Sequence, residues 1–348
     1  AQFKNNSAYA AGGAMWLGRV AEIENADFIG NSVYGTVIGD NSNSDTSIDG
    51  GGALFFGSSS IVEVENSDFV SNTSTSDGGA IAMRAPAMGD NSAAKLDIFD
   101  DRFSGNSAVM KGGAIYSTFY DSKTERNAVY IKGSQFEGNS AASGGAIYND
   151  GVPDKKDNKA SMKIVDSEFT ENTAGSNGAA IFNKGNLSIL DSDFDGNVAY
   201  GYYGGAIYNT AAGNIKVLDA DFDGNKVKTN DFAIGGAIAN IGKIGNITGE
   251  FDNNTVVASG EGASAKGGAI YTYSGSTIES VVADFVGNSA TSDGEAIGGA
   301  VVNDGTIAKL GMDEDGFVNS KAVGDVDGWA GALYNSETGV MSEIKSDF

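Results

Sequence analysis

Residues suited to recognition chemistry gather in three insertions of this chain. The segments 84–95 (RAPAMGDNSAAK), 117–127 (STFYDSKTERN) and 150–159 (DGVPDKKDNK) bring Arg84, Lys123, Arg126, Lys155, Lys156 and Lys159 near Phe119 and Tyr120. Guanidinium and ammonium donors beside aromatic rings suit an acidic glycan or an acidic protein surface. Charge marks the same place. Residues 84–163 hold 11 of the 22 basic residues and 10 of the 46 acidic ones, a net of +1 against −25 on the other 268. The competing reading is that exposed loops collect Lys whether or not anything binds there.

A second pattern is acidic. Each repeated Phe is flanked by outward positions, and in successive repeats these are Asp193/Asp195, Asp221/Asp223 and Glu250/Asp252, with Glu168 and Asp284 beyond. Carboxylates stacked at roughly 4.8 Å repel unless a cation intervenes, and calcium accepts loose oxygen sets of this kind. The alternative is a solvated face that keeps rods apart. The acidic runs 39–45, 312–316 and 324–328 lack the twelve-residue EF-hand pattern. Arg102 breaks the flanking column, standing where other repeats have Asp27, Asp68 and Glu168, with Asp100 and Asp101 beside it. A residue that breaks a repeat is where catalysis would sit.

Composition narrows the chemistry. The chain has no His and no Cys, which removes the commonest general base, the commonest transition-metal ligand and any thiolate. A net charge of −24 excludes a nucleic-acid surface, whose phosphates need cations. Among 348 residues, 51 are Gly and only two are Pro, yet 41% are hydrophobic, enough for a core.

The elements that must position these groups come from a repeat. One signature is F-x-x-N, with Phe at 3, 28, 69, 103, 136, 169, 194, 222, 251 and 285 and a worn copy at Phe317. The other is G-G-A plus an aliphatic residue, starting at Gly12, Gly51, Gly78, Gly112, Gly144, Gly204, Gly235, Gly267 and Gly298. Gly-Gly is costly inside a helix, and the segments before each Phe (SIVEVEN, SMKIVDS, NLSILDS) read as strands. The fifth residue before each Phe (Ile23, Val64, Ile98, Ile131, Ile164, Ile189, Val217) is apolar, and often the seventh is too. Phe lies an odd number of residues further on, so the two-residue period must slip at the intervening NS, DS or DA pair. Each repeat then holds about three short strands joined at corners. Like strands of successive repeats stack in parallel, giving an all-β, right-handed parallel β-helix of about eleven coils, one domain over 1–348. Phe and Asn should form ladders, and Gly-Gly should supply positive φ or close backbone approach. Most repeats use 14 to 17 residues from the Ala of G-G-A to the next Phe. The three consecutive repeats carrying the basic insertions use 23, 22 and 23, which puts those loops side by side.

The alternation of G-G-A-[I/L/V] with F-x-x-N resembles the repeats of the chlamydial polymorphic outer membrane proteins. That resemblance implies a β-helical autotransporter passenger, outside the cell and attached to the outer membrane through a barrel absent from this chain, acting in adhesion. For such a rod carrying these basic insertions, the expected partner is a host-cell or matrix protein or an acidic glycan, with self-association open; no cofactor is required, and the acidic columns leave Ca2+ possible. The absence of Cys departs from several members of the family. The chain reads as a piece of a longer passenger. The alternative is a secreted β-helical polysaccharide lyase or hydrolase, for which Arg102 is the candidate.

Overall fold

The computed structural model describes residues 1–35, 50–57, 60–84, 94–118, 128–151, 162–312 and 315–345. All regular structure among them is β-strand, and every strand pairing is parallel. The chain is a β-solenoid. Two sheets hold eleven strands each, a third holds eighteen, and a small one holds four. The eighteen-stranded sheet contains both the segment before each Phe and the Phe segment itself. In the early coils these are separate strands, such as Met162–Val165 and Glu168–Thr170; later they fuse, as in Asn214–Asp223. Three main sheets therefore line the solenoid, and the first of them is bent.

Register pairs like with like: Phe103 aligns with Phe69 and Phe136, and Phe222 with Phe194 and Phe251. The rings stack at 4.7 to 5.1 Å. Parallel strand spacing dictates that distance. Phe28 through Phe285 are fully buried, each worth roughly 1.5–3 kcal/mol. The Asn residues form the expected second ladder. Asn106 Nδ2 donates to Asn139 Oδ1 at 3.0 Å and to the Phe69 carbonyl at 2.8 Å, while its backbone N–H donates to the same Asn139 Oδ1 at 2.9 Å. The pattern repeats from Asn31 to Asn254, so these buried amides have partners on both sides. At the other corner, Gly112 has φ 65°, and a Cβ on Gly113 would lie 2.0 Å from the Gly145 carbonyl oxygen. Both functions assigned to Gly-Gly are thus present, divided between its two residues.

The phase slip takes two forms. In the early coils it falls on Asn25, Asn66, Asp100, Gly133, Asp166 and Asp191, all with φ between 47° and 64°. Asn and Asp tolerate this left-handed conformation better than most residues. The strand Asn186–Asp195 already runs unbroken through its left-handed Asp191; in the next coil, Asn214–Asp223, there is no such turn and the register shifts instead at a bulge. Leu218, not Val217, aligns with Ile189 and enters the core. Val217 is a correction to the sequence reading: it is half-buried, because the slip falls between Ile215 and Leu218 rather than at Asp219–Ala220.

Candidate binding faces

The three long insertions leave from neighbouring rungs of one sheet. Strands Ile81–Arg84, Ile115–Thr118 and Ile147–Asn149 are consecutive in it, with Arg84 aligned to Thr118 and Ser117 to Asn149. Phe119, Tyr120, Lys123, Arg126, Lys155, Lys156 and Lys159 lie outside the described residues. So do Pro86, Pro153 and the acidic run 39–45. Arg84 is described, and it is engaged: its Nη2 lies 3.1 Å from Asp77 Oδ2, and its guanidinium stands 5.3 Å from the centre of the Tyr116 ring.

From Arg84 a seam of cations and rings continues along the outer surface of that sheet. Lys111 Nζ lies 5.4 Å from the Tyr116 ring and 5.3 Å from the Tyr148 ring, and Lys184 Nζ lies 5.5 Å from the Tyr148 ring. Asp150 neutralises both ammoniums, at 4.0 Å from Lys111 and 3.3 Å from Lys184. Tyr148 stacks on Phe182 at 4.4 Å. Burial raises the Tyr148 hydroxyl pKa despite a hydrogen bond with Lys184. Burial alone would lower the Lys184 ammonium, but Tyr148 and the Asp150 charge outweigh it, so its pKa is raised. The roots of the insertions are thus held by cation–π contacts and ion pairs at partly desolvated positions, where both are stronger than in water. Sequence reasoning missed Lys111, Tyr116, Tyr148 and Lys184. A signal was present: Tyr directly after the core Ile of a strand must face outward, and Lys flanks it.

The acidic columns stack as the repeat requires. Asp193 aligns with Asp221, Asp195 with Asp223, and Asp223 with Asp252. The Glu250 backbone N–H donates to Asp221 Oδ1 at 2.8 Å. The Asp221 charge, followed by burial, raises the Glu250 carboxyl pKa. Burial raises Asp193, with Asp221 and Glu168 adding to it, and burial followed by Asp223 raises Asp252. Like charges therefore face one another up this side of the rod. Among the described residues no group of three or more acidic side chains is arranged to hold a metal ion. The columns do not converge: flat parallel strands keep each carboxylate on its own rung.

Arg102 lies between Asp68 and Gln135 in register, and its guanidinium donates to Glu137 Oε2 at 2.7 Å on the exposed face. Asp101, next to it, points inward. It occupies the column that Ser67, Ser134, Ser167 and Ser192 fill in neighbouring coils. Its Oδ1 accepts from the Ser67 backbone N–H at 2.6 Å, while its buried Oδ2 has no hydrogen-bond partner. Burial pushes this carboxyl up to about 8. Asp100 turns the chain with φ 56°. Three consecutive ionisable residues thus point to different places.

Five segments, 102–118, 133–150, 166–184, 191–210 and 248–273, match the Chlamydia polymorphic membrane protein repeat. Each covers an F-x-x-N turn and ends at or just past the strand after Gly-Gly-Ala or its worn copy at 178–180. No curated protein and no solved structure matches the chain. Side-chain ladders, corner glycines and matched segments share one period, and the chain carries repeats of the Chlamydia polymorphic membrane protein type.

Proposed function

We propose that this chain is the rod of a bacterial surface protein of the autotransporter-passenger type, and that it acts in adhesion rather than catalysis. The observation that carries this reading is the placement of the three insertions. They leave from adjacent rungs of one sheet on an otherwise regular scaffold, and they are the most basic part of an acidic chain. A solenoid positions loops rigidly, which suits presentation of a recognition surface. The partner is an acidic glycan or a host-cell or matrix protein with an acidic face. The outward acidic columns keep neighbouring rods apart through like-charge repulsion.

The test is binding of the whole chain to an array of matrix proteins and anionic glycans, alongside a variant with 84–95, 117–127 and 150–159 trimmed to the length of the short repeats. Binding by the parent and loss in the trimmed rod is the expected result. Equal binding by both places the adhesive surface on the repeated faces and removes the loops from the proposal. Turnover of an acidic polysaccharide by the parent, lost in Arg102→Ala, would replace adhesion with catalysis.

A further inference from the structure

The later coils hold a feature that the repeat alone does not predict. Between the strand after Gly-Gly-Ala and the next strand, the turns alternate in length. Short turns are Lys184–Gly185, Ile241–Gly242 and Asp304–Gly305; long ones span 210–213, 273–276 and 336–339. The flanking residues stay in register: Thr272 aligns with Asn303 and Asn303 with Asn335, while Thr277 aligns with Thr306 and Thr306 with Val340. Each short turn between two long ones is therefore the floor of a notch. Its glycine is required: a Cβ on Gly305 would lie 2.3 Å from the Tyr273 carbonyl oxygen.

The notch over Asp304 is a cleft of about 550 Å³. Its floor is the Asp304 carboxylate, fixed by the buried Tyr271 hydroxyl, which donates to Oδ2. The half-exposed Tyr273 ring forms one wall, edge-on to Tyr271 with 5.6 Å between ring centres, and Tyr334 adds a third ring. The opposite wall is the 336–339 turn, closed by Gly339 N–H to Ser336 O at 3.0 Å and tied down by Thr338 Oγ1 to Asp304 O at 3.1 Å. Glu337, Lys266 and the hydroxyls of Ser274, Ser336 and Thr338 complete the lining.

We infer that this cleft binds an uncharged sugar residue of a glycan. The lining decides the class. A cationic ligand would meet Lys266, and an anionic one would meet Asp304 and Glu337. A neutral polyol uses both, donating to the carboxylates and accepting from the ammonium and hydroxyls, while its C–H face lies on an exposed ring. A shallow, open cleft lined by rings and many polar groups suits a terminal or internal sugar of a chain that continues into solvent. The other two short turns lack this combination: Ile241 is apolar, and Lys184 is spent on Tyr148 and Asp150. This inference does not rest on the adhesive role proposed for the basic insertions, which lie on earlier coils.

The test uses the whole chain and a panel of uncharged oligosaccharides built from glucose, galactose and N-acetylglucosamine, with sulfated oligosaccharides and oligolysine as comparators. Binding is read by saturation-transfer NMR and calorimetry. At least one uncharged member binds, and Tyr273→Ala and Glu337→Gln each weaken it by about tenfold, the usual scale for losing one good contact. Phe232→Ala, an exposed ring on another sheet, leaves it unchanged. Thermal melts establish that the variants fold. Three outcomes overturn the inference: no uncharged member binds, Tyr273→Ala binds as the parent does, or a comparator binds more tightly at this cleft.

Discussion

The coils before Asp191 and those after it solve one geometric problem in two ways. In both, the apolar side chains before Phe and the Phe itself must reach the same core although they are out of phase. The early coils spend a left-handed Asn, Asp or Gly on this and break the strand there. The later coils insert a bulge and keep a strand of ten residues. A second contrast runs alongside. At the third position of the strand after Gly-Gly-Ala, the first coils place Leu17, Phe56, Met83 and Ser117. From Asn149 onward that column becomes an amide ladder, Asn149 to Asn183 to Asn209 to Asn240, with donor–acceptor distances of 2.8 Å. What holds in every coil from Phe3 to Asn288 is the F-x-x-N corner. The lesson is that this solenoid has one fixed corner and two adjustable ones, and the insertions and notches appear where adjustment is allowed.

The fixed corner predicts the largest effect. Asn139→Ala in the early half and Asn225→Ala in the later half each strand two backbone or amide donors and a Phe carbonyl in the core. Each should cost about 3 kcal/mol or more in urea unfolding, because a buried unpaired group costs ~1–3 kcal/mol. A loss below about 1 kcal/mol in either half would break the claim that this corner is common to both.

The next effect sharpens the contrast at Asp101, a carboxyl in a column of hydroxyls. Its folded value of about 8 lies above the ordinary 3.8, so the folded state binds the extra proton. Stability therefore falls as pH rises from about 4 towards 8, and the penalty is complete above that range. Asp101→Ser restores the column, raises stability by roughly 1–3 kcal/mol at pH 8 and does little at pH 4. Thermal melts of both proteins across this range check it; parallel curves would refute it.

A smaller gain is expected where the later amide ladder is interrupted. Thr272 stands in the Asn column, and both its Oγ1 and the Asn303 Oδ1 above it are buried without partners. Thr272→Asn gives Asn303 a donor and should stabilise by about 1–2 kcal/mol. No gain would mean that the ladder follows the fold without supporting it. The smallest effect concerns Glu171, which holds φ 53° at the motif position where Gly138 and Gly196 stand in adjacent coils. Glu171→Gly should add about 0.5–1 kcal/mol, relief of left-handed strain partly offset by the greater freedom of unfolded Gly.

Most of the scaffold was legible from the sequence because the strongest constraints recur in it. Phe at fixed offset from Asn announced a ring stack and an amide ladder, and Gly-Gly announced a crowded corner. Val217 misled because a bulge leaves no residue signature: Ile215, Val217 and Leu218 are all apolar, and only the neighbouring coil decides which two face inward. The second amide ladder was written in the Asn ending AIYN, AIFN and AIAN, but it starts only at Asn149, where earlier coils carry Leu17, Phe56, Met83 and Ser117 in the same column. The four-stranded sheet of Phe232–Ile234, Ser264–Lys266, Glu295–Ile297 and Asp327–Trp329 has no period of its own in the sequence. The candidate sites were less legible. The roots of the insertions could be placed by counting residues, whereas the cation–aromatic seam and the notch over Asp304 arise between coils and show only in three dimensions.

The Asn ladder has a further consequence for how such a chain changes length. Asn106 meets a Phe carbonyl from the coil before it and an Asn amide from the coil after it. Every rung presents the same atoms to both neighbours. A whole coil duplicated or deleted between two Asn codons brings together two surfaces that already fit, with no orphaned donor and no gap in the ring stack. A fraction of a coil offers no such match. The fold thereby sets a quantum for insertion and deletion, and the rod can be lengthened or shortened in units of one coil without redesign of its interior.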